Sequence, residues 1–98
     1  MEDSYGNKYW RNKEWQYHRE DGPAFEGSNK TKEWWVNGKH HRIGGPAIED
    51  ADGFKAWYIS DKLHRFDGPA VDDANGFKEW WVDNNDITNI YNFMDILC

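Results

Sequence analysis

The sequence predicts an all-β fold: an antiparallel meander of three 23-residue repeats closed by a short C-terminal capping α-helix. Three observations carry that expectation. Asp21-Gly22-Pro23-Ala24, Gly44-Gly45-Pro46-Ala47 and Asp67-Gly68-Pro69-Ala70 recur at a constant interval of 23 residues. The aromatic pairs Trp34-Trp35, Trp57-Tyr58 and Trp80-Trp81 keep the same interval, as do His18-Arg19, His41-Arg42 and His64-Arg65. Between these markers lie dipeptides that suit tight turns, so each unit reads as short strands rather than as helix.

Within one unit, Ile48-Glu49-Asp50-Ala51 and Phe54-Lys55-Ala56-Trp57-Tyr58-Ile59 read as strands joined by Asp52-Gly53, a two-residue turn that needs positive φ. Asn75-Gly76 takes that place one repeat later. A second turn falls at Asn37-Gly38, Ser60-Asp61 and Asp83-Asn84, all residue types that tolerate left-handed backbone. Proline in each Gly-Pro step lacks a donor and fixes φ, which suits a corner between units. The first turn then opposes Asp50 to Lys55 and Ile48 to Trp57; the second opposes Trp57 to His64 and Tyr58 to Leu63. One face is expected to carry Phe25, Ile48 and Val71 with Trp34, Trp57 and Trp80 and with His18, His41 and His64. The other carries Ala24, Ala47 and Ala70 with Trp35, Tyr58 and Trp81.

The 98 residues fit one domain, with 1–18 as an N-terminal cap, 19–88 as the repeats and 89–97 as the helix. The aromatic spacing before His18 departs from the later units, which predicts a widened turn or a distinct capping strand there. Ile87, Ile90, Tyr91, Met94 and Leu97 fall at helical spacing around Thr88, a good N-cap.

Mean hydropathy is low, −1.09, yet seven Trp, five Tyr and five Phe supply the apolar area a folded chain requires. A net charge of −6 argues against a nucleic-acid groove or an anionic membrane surface, since both need clustered Lys and Arg. Met1–Tyr5 has neither a basic start nor an apolar run, so no signal peptide or membrane span is expected and a cytoplasmic location is. Cys98, the only cysteine, leaves no internal disulfide.

Chemistry-bearing constellations are few. His18, His41 and His64 stand one repeat apart, whereas a zinc site needs ligands converging at about 2 Å, so no metal and no cofactor is expected. His40, outside that ladder, is expected to be solvated. Asp72 and Asp73 are adjacent on a strand, point to opposite faces and cannot flank one bond. With no nucleophile-base pairing and no phosphate loop, the chain is not expected to be an enzyme. What remains is surface: Trp35, Tyr58 and Trp81 in one row, and the carboxylates Glu49, Asp50, Asp52, Asp72 and Asp73 at the turns. Exposed aromatics are the usual interface anchors, and a net acidic surface favours basic partners.

Trp35-Val36-Asn37-Gly38-Lys39-His40-His41-Arg42-Ile43-Gly44 resembles the membrane occupation and recognition nexus (MORN) repeat over roughly residues 9 to 88. The recurring His-Arg-x-Asp/Gly-Gly-Pro-Ala looks like the variant of that repeat common in bacteriophage and giant-virus proteins. The resemblance implies scaffolding and partner binding without catalytic residues, and its viral association implies a small phage protein acting on a host or defence factor. The expected partner is therefore a protein, with a homodimer through the aromatic face or the C-terminal helix as a further expectation. Three alternatives stay open at this level: an acidic nucleic-acid mimic, a protein sequestering a nucleotide-sized ligand, and a homo-oligomeric scaffold.

Overall fold

The computed structural model describes residues 1–88; the helix expected at 89–97 and Cys98 lie outside the described residues. Regular structure is antiparallel β. Among the described residues the strands are, in chain order, β1 (Lys8–Tyr9), β2 (Phe25–Glu26), β3 (Lys32–Glu33), β4 (Trp35–Val36), β5 (Lys39–His40), β6 (Ile48–Glu49), β7 (Lys55–Ala56), β8 (Tyr58–Ile59), β9 (Lys62–Leu63), β10 (Val71–Asp72), β11 (Lys78–Glu79), β12 (Trp81–Val82) and β13 (Asn85–Asp86). Seven form one sheet in the order β1-β2-β3-β6-β7-β10-β11, while β4-β5, β8-β9 and β12-β13 are separate hairpins. No helix among the described residues is long and apolar enough to cross a membrane.

The sheet loops are one residue longer than the sequence suggests. Gly53 N–H donates to Asp50 O at 3.0 Å and Asp50 N–H to Phe54 O at 2.8 Å, which makes a β-turn over 50–53 that ends in left-handed Gly53, φ 93°. This is the three-residue loop with a glycine bulge rather than the two-residue turn. Register shifts by one, so Ile48 opposes Ala56 and Glu49 opposes Lys55, in place of Trp57 and Asp50 as expected. Since side chains alternate with period 2, the slip moves the tryptophans to the other face. Trp34 therefore sits opposite Ala47 and Trp57 opposite Ala70, through backbone bonds of 2.7 and 2.8 Å, and Trp10 sits opposite Ala24.

That row explains the packing. Ala24, Ala47 and Ala70 are 0% exposed, and a bulky neighbour is accommodated only because each is a methyl. Alongside it runs a second row in which charges alternate from strand to strand. Glu2 bridges Lys8, and the order continues Lys8, Glu26, Lys32, Glu49, Lys55, Asp72, Lys78 by Cα register. Glu26, Glu49 and Asp72 thus each lie between two lysines, where opposite-charge pairs stabilise and like pairs would not.

The hairpin turns match the sequence reading. Tyr58 opposes Leu63, and His64 N–H donates to Trp57 O at 3.1 Å. Both central residues have positive φ, 49° and 68° at Ser60-Asp61, as a type I′ turn requires. The first hairpin is widened by one residue: Asn12 N–H donates to Gln16 O at 2.9 Å around a loop in which Trp15 has φ 64°. Neighbouring hairpins are then joined by the ladder histidines. Nδ1 of His18, His41 and His64 each accepts a backbone N–H of the next turn, from Asn37, Ser60 and Asp83, at 3.0 Å. These rings link units one by one and do not converge on a common centre.

The His-Arg-x-x-Gly-Pro-Ala motif is a staple. Arg42 Cζ lies 3.7 Å from the centroid of Trp34, and Arg65 lies 3.8 Å from that of Trp57. Nη1 of each donates to the carbonyl of the following proline, Pro46 or Pro69, at 3.0 Å. A Cβ at Gly45 would stand 2.8 Å from Arg42 Cζ, so glycine leaves the space in which the guanidinium lies flat between an indole and the backbone. Arg19 repeats the arrangement over Trp10 at 4.0 Å.

Candidate interaction surface

On the sheet face away from the Trp-Arg staples the aromatics form a continuous band. Tyr9 and Phe25 are opposed across β1 and β2 with centroids 5.9 Å apart, and Tyr17 touches both. Tyr17 leads to Trp35 at 5.4 Å, Trp35 to His40 at 3.6 Å, and His40 to Tyr58 at 5.1 Å in a stacked pair. Arg11 caps the N-terminal end over Tyr17, with Cζ 4.8 Å from the ring centroid. The hairpin register produces this order, because the Asn37-Gly38 turn sets Trp35 opposite His40.

His40 is consequently not solvated. It is held between two aromatic faces, its Nε2 3.4 Å from Glu33 Oε1 and its Nδ1 3.5 Å from Asp61 Oδ1. Glu33 also accepts the Trp35 indole N–H at 3.1 Å. The His40 hydrogen bond, with a smaller contribution from Trp35, lowers the Glu33 pKa from its ordinary value despite the opposing effect of burial. Burial, then the Asp61 charge, raises the Tyr58 phenol. A carboxyl with a depressed folded pKa adds stability that is present above its unfolded pKa and is lost as pH falls through the folded one. Glu33→Gln should therefore flatten the acid limb of a stability-against-pH curve measured by denaturant melts, leaving the neutral limb parallel to the parent; an unchanged acid limb would show that the His40–Glu33 contact contributes nothing.

The structure brings Trp35 and Tyr58 together through His40. Trp81 lies one repeat further along: its indole donates to Glu79 at 3.4 Å as Trp35 does to Glu33, but Leu63 and Asp86 occupy the His40 place in the following hairpins. His40, Glu33 and Phe25 were missed as site residues in the sequence. The opposition of Trp35 and His40 was already implied by the Asn37-Gly38 turn, whereas Glu33 depended on the sheet register.

The five carboxylates separate into two kinds. Glu49 and Asp72 are strand residues of the alternating charge row; Arg42 Nη1 reaches Glu49 at 3.3 Å and Lys78 Nζ reaches Asp72 at 3.0 Å. Asp50, Asp52 and Asp73 are at the loops. Asp50 accepts from the Thr31 hydroxyl at 3.1 Å, Asp73 from the Asn75 amide of its own turn at 3.0 Å, and Asp52 is exposed. Among the described residues no three His, Cys, Asp or Glu side chains gather as metal ligands would. Compared with protein families, with curated proteins and with solved structures, the chain has no match.

Proposed function

We propose that the protein is a non-enzymatic protein-interaction module whose binding face is the aromatic band, centred on Trp35, His40 and Tyr58 and continued toward Trp81. The observation that carries this reading is burial. In a chain with seven Trp, five Tyr and five Phe, no large side chain among the described residues is fully buried, and only Ala24, Ala47, Ala56, Ala70 and Val71 form the buried core. Aromatic surface left partly open on one face is what a partner desolvates, and Trp and Tyr lose little entropy when it does.

The loop-tip carboxylates Asp50, Asp52 and Asp73 add attraction for a basic protein, while Glu49 and Asp72 are already neutralised by Lys and Arg. That division favours aromatic contact over mimicry of a phosphate backbone. The finer readings belong to the same proposal: three MORN-like units, a capping helix over 89–97, and a small phage protein that inhibits a host or defence factor in the host cytoplasm.

A double substitution, Trp35→Ser with Tyr58→Ser, tests it. Affinity capture from a lysate of the cells in which the protein acts should retain one defined partner with the parent protein and lose it by about tenfold or more with the variant, the scale of an anchor residue at an interface. Circular dichroism and the melting temperature establish that both proteins are folded. Equal capture by a folded variant would contradict the proposal.

A further inference from the structure

A separate surface lies on the staple face and does not depend on the reading of the aromatic band. Two grooves open there, of about 720 and 700 Å3. The first is walled by Arg19, Trp34, Val36, His41 and Ile43. The second is walled by Arg42, Trp57, Ile59, His64 and Phe66, each 23 residues on from its counterpart. They are the same site built twice, one repeat apart.

Three features define what would occupy them. At the lip of each stands a largely exposed apolar side chain: Ile43 is 81% exposed and Phe66 78%, the Phe66 ring meeting His64 edge-on at 4.5 Å between centroids. In each, the indole N–H of the groove tryptophan has no hydrogen-bond partner among the described residues and is not sealed from solvent, unlike those of Trp35 and Trp81, which bond Glu33 and Glu79. The groove mouths carry the exposed carboxylates Glu20, Asp21 and Asp67; Asp21 and Asp67 also accept from Arg19 Nε at 3.0 Å and Arg65 Nε at 2.8 Å, so among the described residues Glu20 is the carboxylate there that no Arg or Lys holds, while the Arg42 and Arg65 guanidiniums lie in tryptophan stacks.

Spacing selects the occupant. One repeat adds two strands to the sheet, which separates the grooves by about 9.6 Å. A polyproline II helix returns to the same face every three residues, about 9.3 Å, with its carbonyls free of internal hydrogen bonds. An extended β-strand returns every two residues, about 6.8 Å, and an α-helix after two turns, about 10.8 Å, with its carbonyls already bonded. The geometry points to a binding site for a proline-rich segment in the polyproline II conformation, lying across the strands. One side chain of every third residue enters each groove, the Trp34 and Trp57 indoles donate to its carbonyls, and a flanking Arg or Lys meets Glu20. This is the aromatic-groove mode of proline recognition, here repeated at the interval of the array.

The test is titration of the 15N-labelled protein with a blocked peptide of four Pro-Pro-Arg triplets, following the indole N–H signals. The control peptide has every proline replaced by alanine, which keeps charge and length but not conformation. Saturable shifts of the Trp34 and Trp57 signals, with those of Trp35 and Trp81 unmoved, are expected. Affinity should exceed that for the control by about tenfold and fall by about tenfold in the double variant Ile43→Ser with Phe66→Ser, the scale of a lost interface anchor. Those two side chains are exposed, so the variant keeps its fold, and unshifted Trp35 and Trp81 signals verify it. No saturable shift at millimolar peptide, equal affinity for the alanine peptide, or binding indifferent to the double variant would overturn the assignment. So would binding of a β-1,4-linked oligosaccharide in place of the peptide.

Discussion

Arg42→Ala should lower the melting temperature by roughly 10–25 °C. Two contributions set the scale. The guanidinium over Trp34 at 3.7 Å is a stacked cation–π contact, which contributes roughly 0.5–2 kcal/mol. Its bond to Pro46 O at 3.0 Å is charge-assisted and contributes about 1.5–3 kcal/mol, part of it the cost of leaving a carbonyl unpaired. The two span about 2–5 kcal/mol, and a loss of about 3 kcal/mol in a chain this short corresponds to roughly 12–24 °C at about 4–8 °C per kcal/mol. Arg42→Lys should recover little, because an ammonium can neither lie flat on an indole nor share its plane with the backbone. Gly45→Ala should act on the same contact from the other side, since the new Cβ would stand 2.8 Å from Cζ and displace the guanidinium. The two changes therefore share one interaction, and the double variant Arg42→Ala with Gly45→Ala should melt close to Arg42→Ala alone. Full additivity in that cycle would mean the stacked arrangement does not hold the unit together.

Ala47→Leu is expected to be the second most damaging change of comparable size, about 1–3 kcal/mol by overpacking. Ala47 is 0% exposed and directly opposed to Trp34 by the 2.7 Å backbone bond. A larger side chain has to push that indole off the Arg42 staple or separate the strands. Ala51→Leu, at an exposed loop position of the same unit, should change stability by no more than about 0.5 kcal/mol, as surface substitutions do. Denaturant midpoints of the two variants measure the contrast directly. A tolerated leucine at 47 would mean that the row of alternating indole and methyl is not the packing constraint it appears from the burial pattern.

These expectations rest on a register that the sequence left ambiguous. Asp52-Gly53 can form a two-residue turn or the last two residues of a three-residue loop, and both put a left-handed conformation at the glycine. Either register also gives Lys55 an acidic partner, Asp50 in one and Glu49 in the other, so charge does not decide. Backbone hydrogen bonding in the folded sheet does, and the one-residue difference carried Trp34, Trp57 and Trp80 to the alanine face. The hairpin turns were legible because Asn37-Gly38, Ser60-Asp61 and Asp83-Asn84 all suit positive φ at both central positions, which few loops other than type I′ demand.

The site was legible in part for the same reasons. Trp35 and Tyr58 fell in one row because their turns were read correctly. His40 between them was set aside as the histidine outside the repeat, although it faces Trp35 across the turn and takes the place that Leu63 fills next. Repeat periodicity emphasises what recurs, and the contact that distinguishes this unit does not recur. Glu49 and Asp72 were grouped with the turn carboxylates although the same reading had them on strands; the register sets both between lysines.

The acid limb of stability should also reach the N-terminal turn. Asp3 accepts hydrogen bonds from the Tyr9 hydroxyl and from the Tyr5 and Asn7 amides, and the Tyr9 bond above all holds its pKa at about 2. With the folded value depressed, its contribution is present near neutrality and is lost as pH falls toward 2.

The solution mass at low and high salt, by size exclusion with light scattering on the parent protein carrying Cys98→Ser, tests the central claim most directly. If the aromatic band is a face kept for a different protein, the mass is that of one 11.7 kDa chain at both salt concentrations. A salt-independent dimer that Trp35→Ser with Tyr58→Ser converts to monomer would contradict the claim, because the band would then be the contact between two copies of this chain.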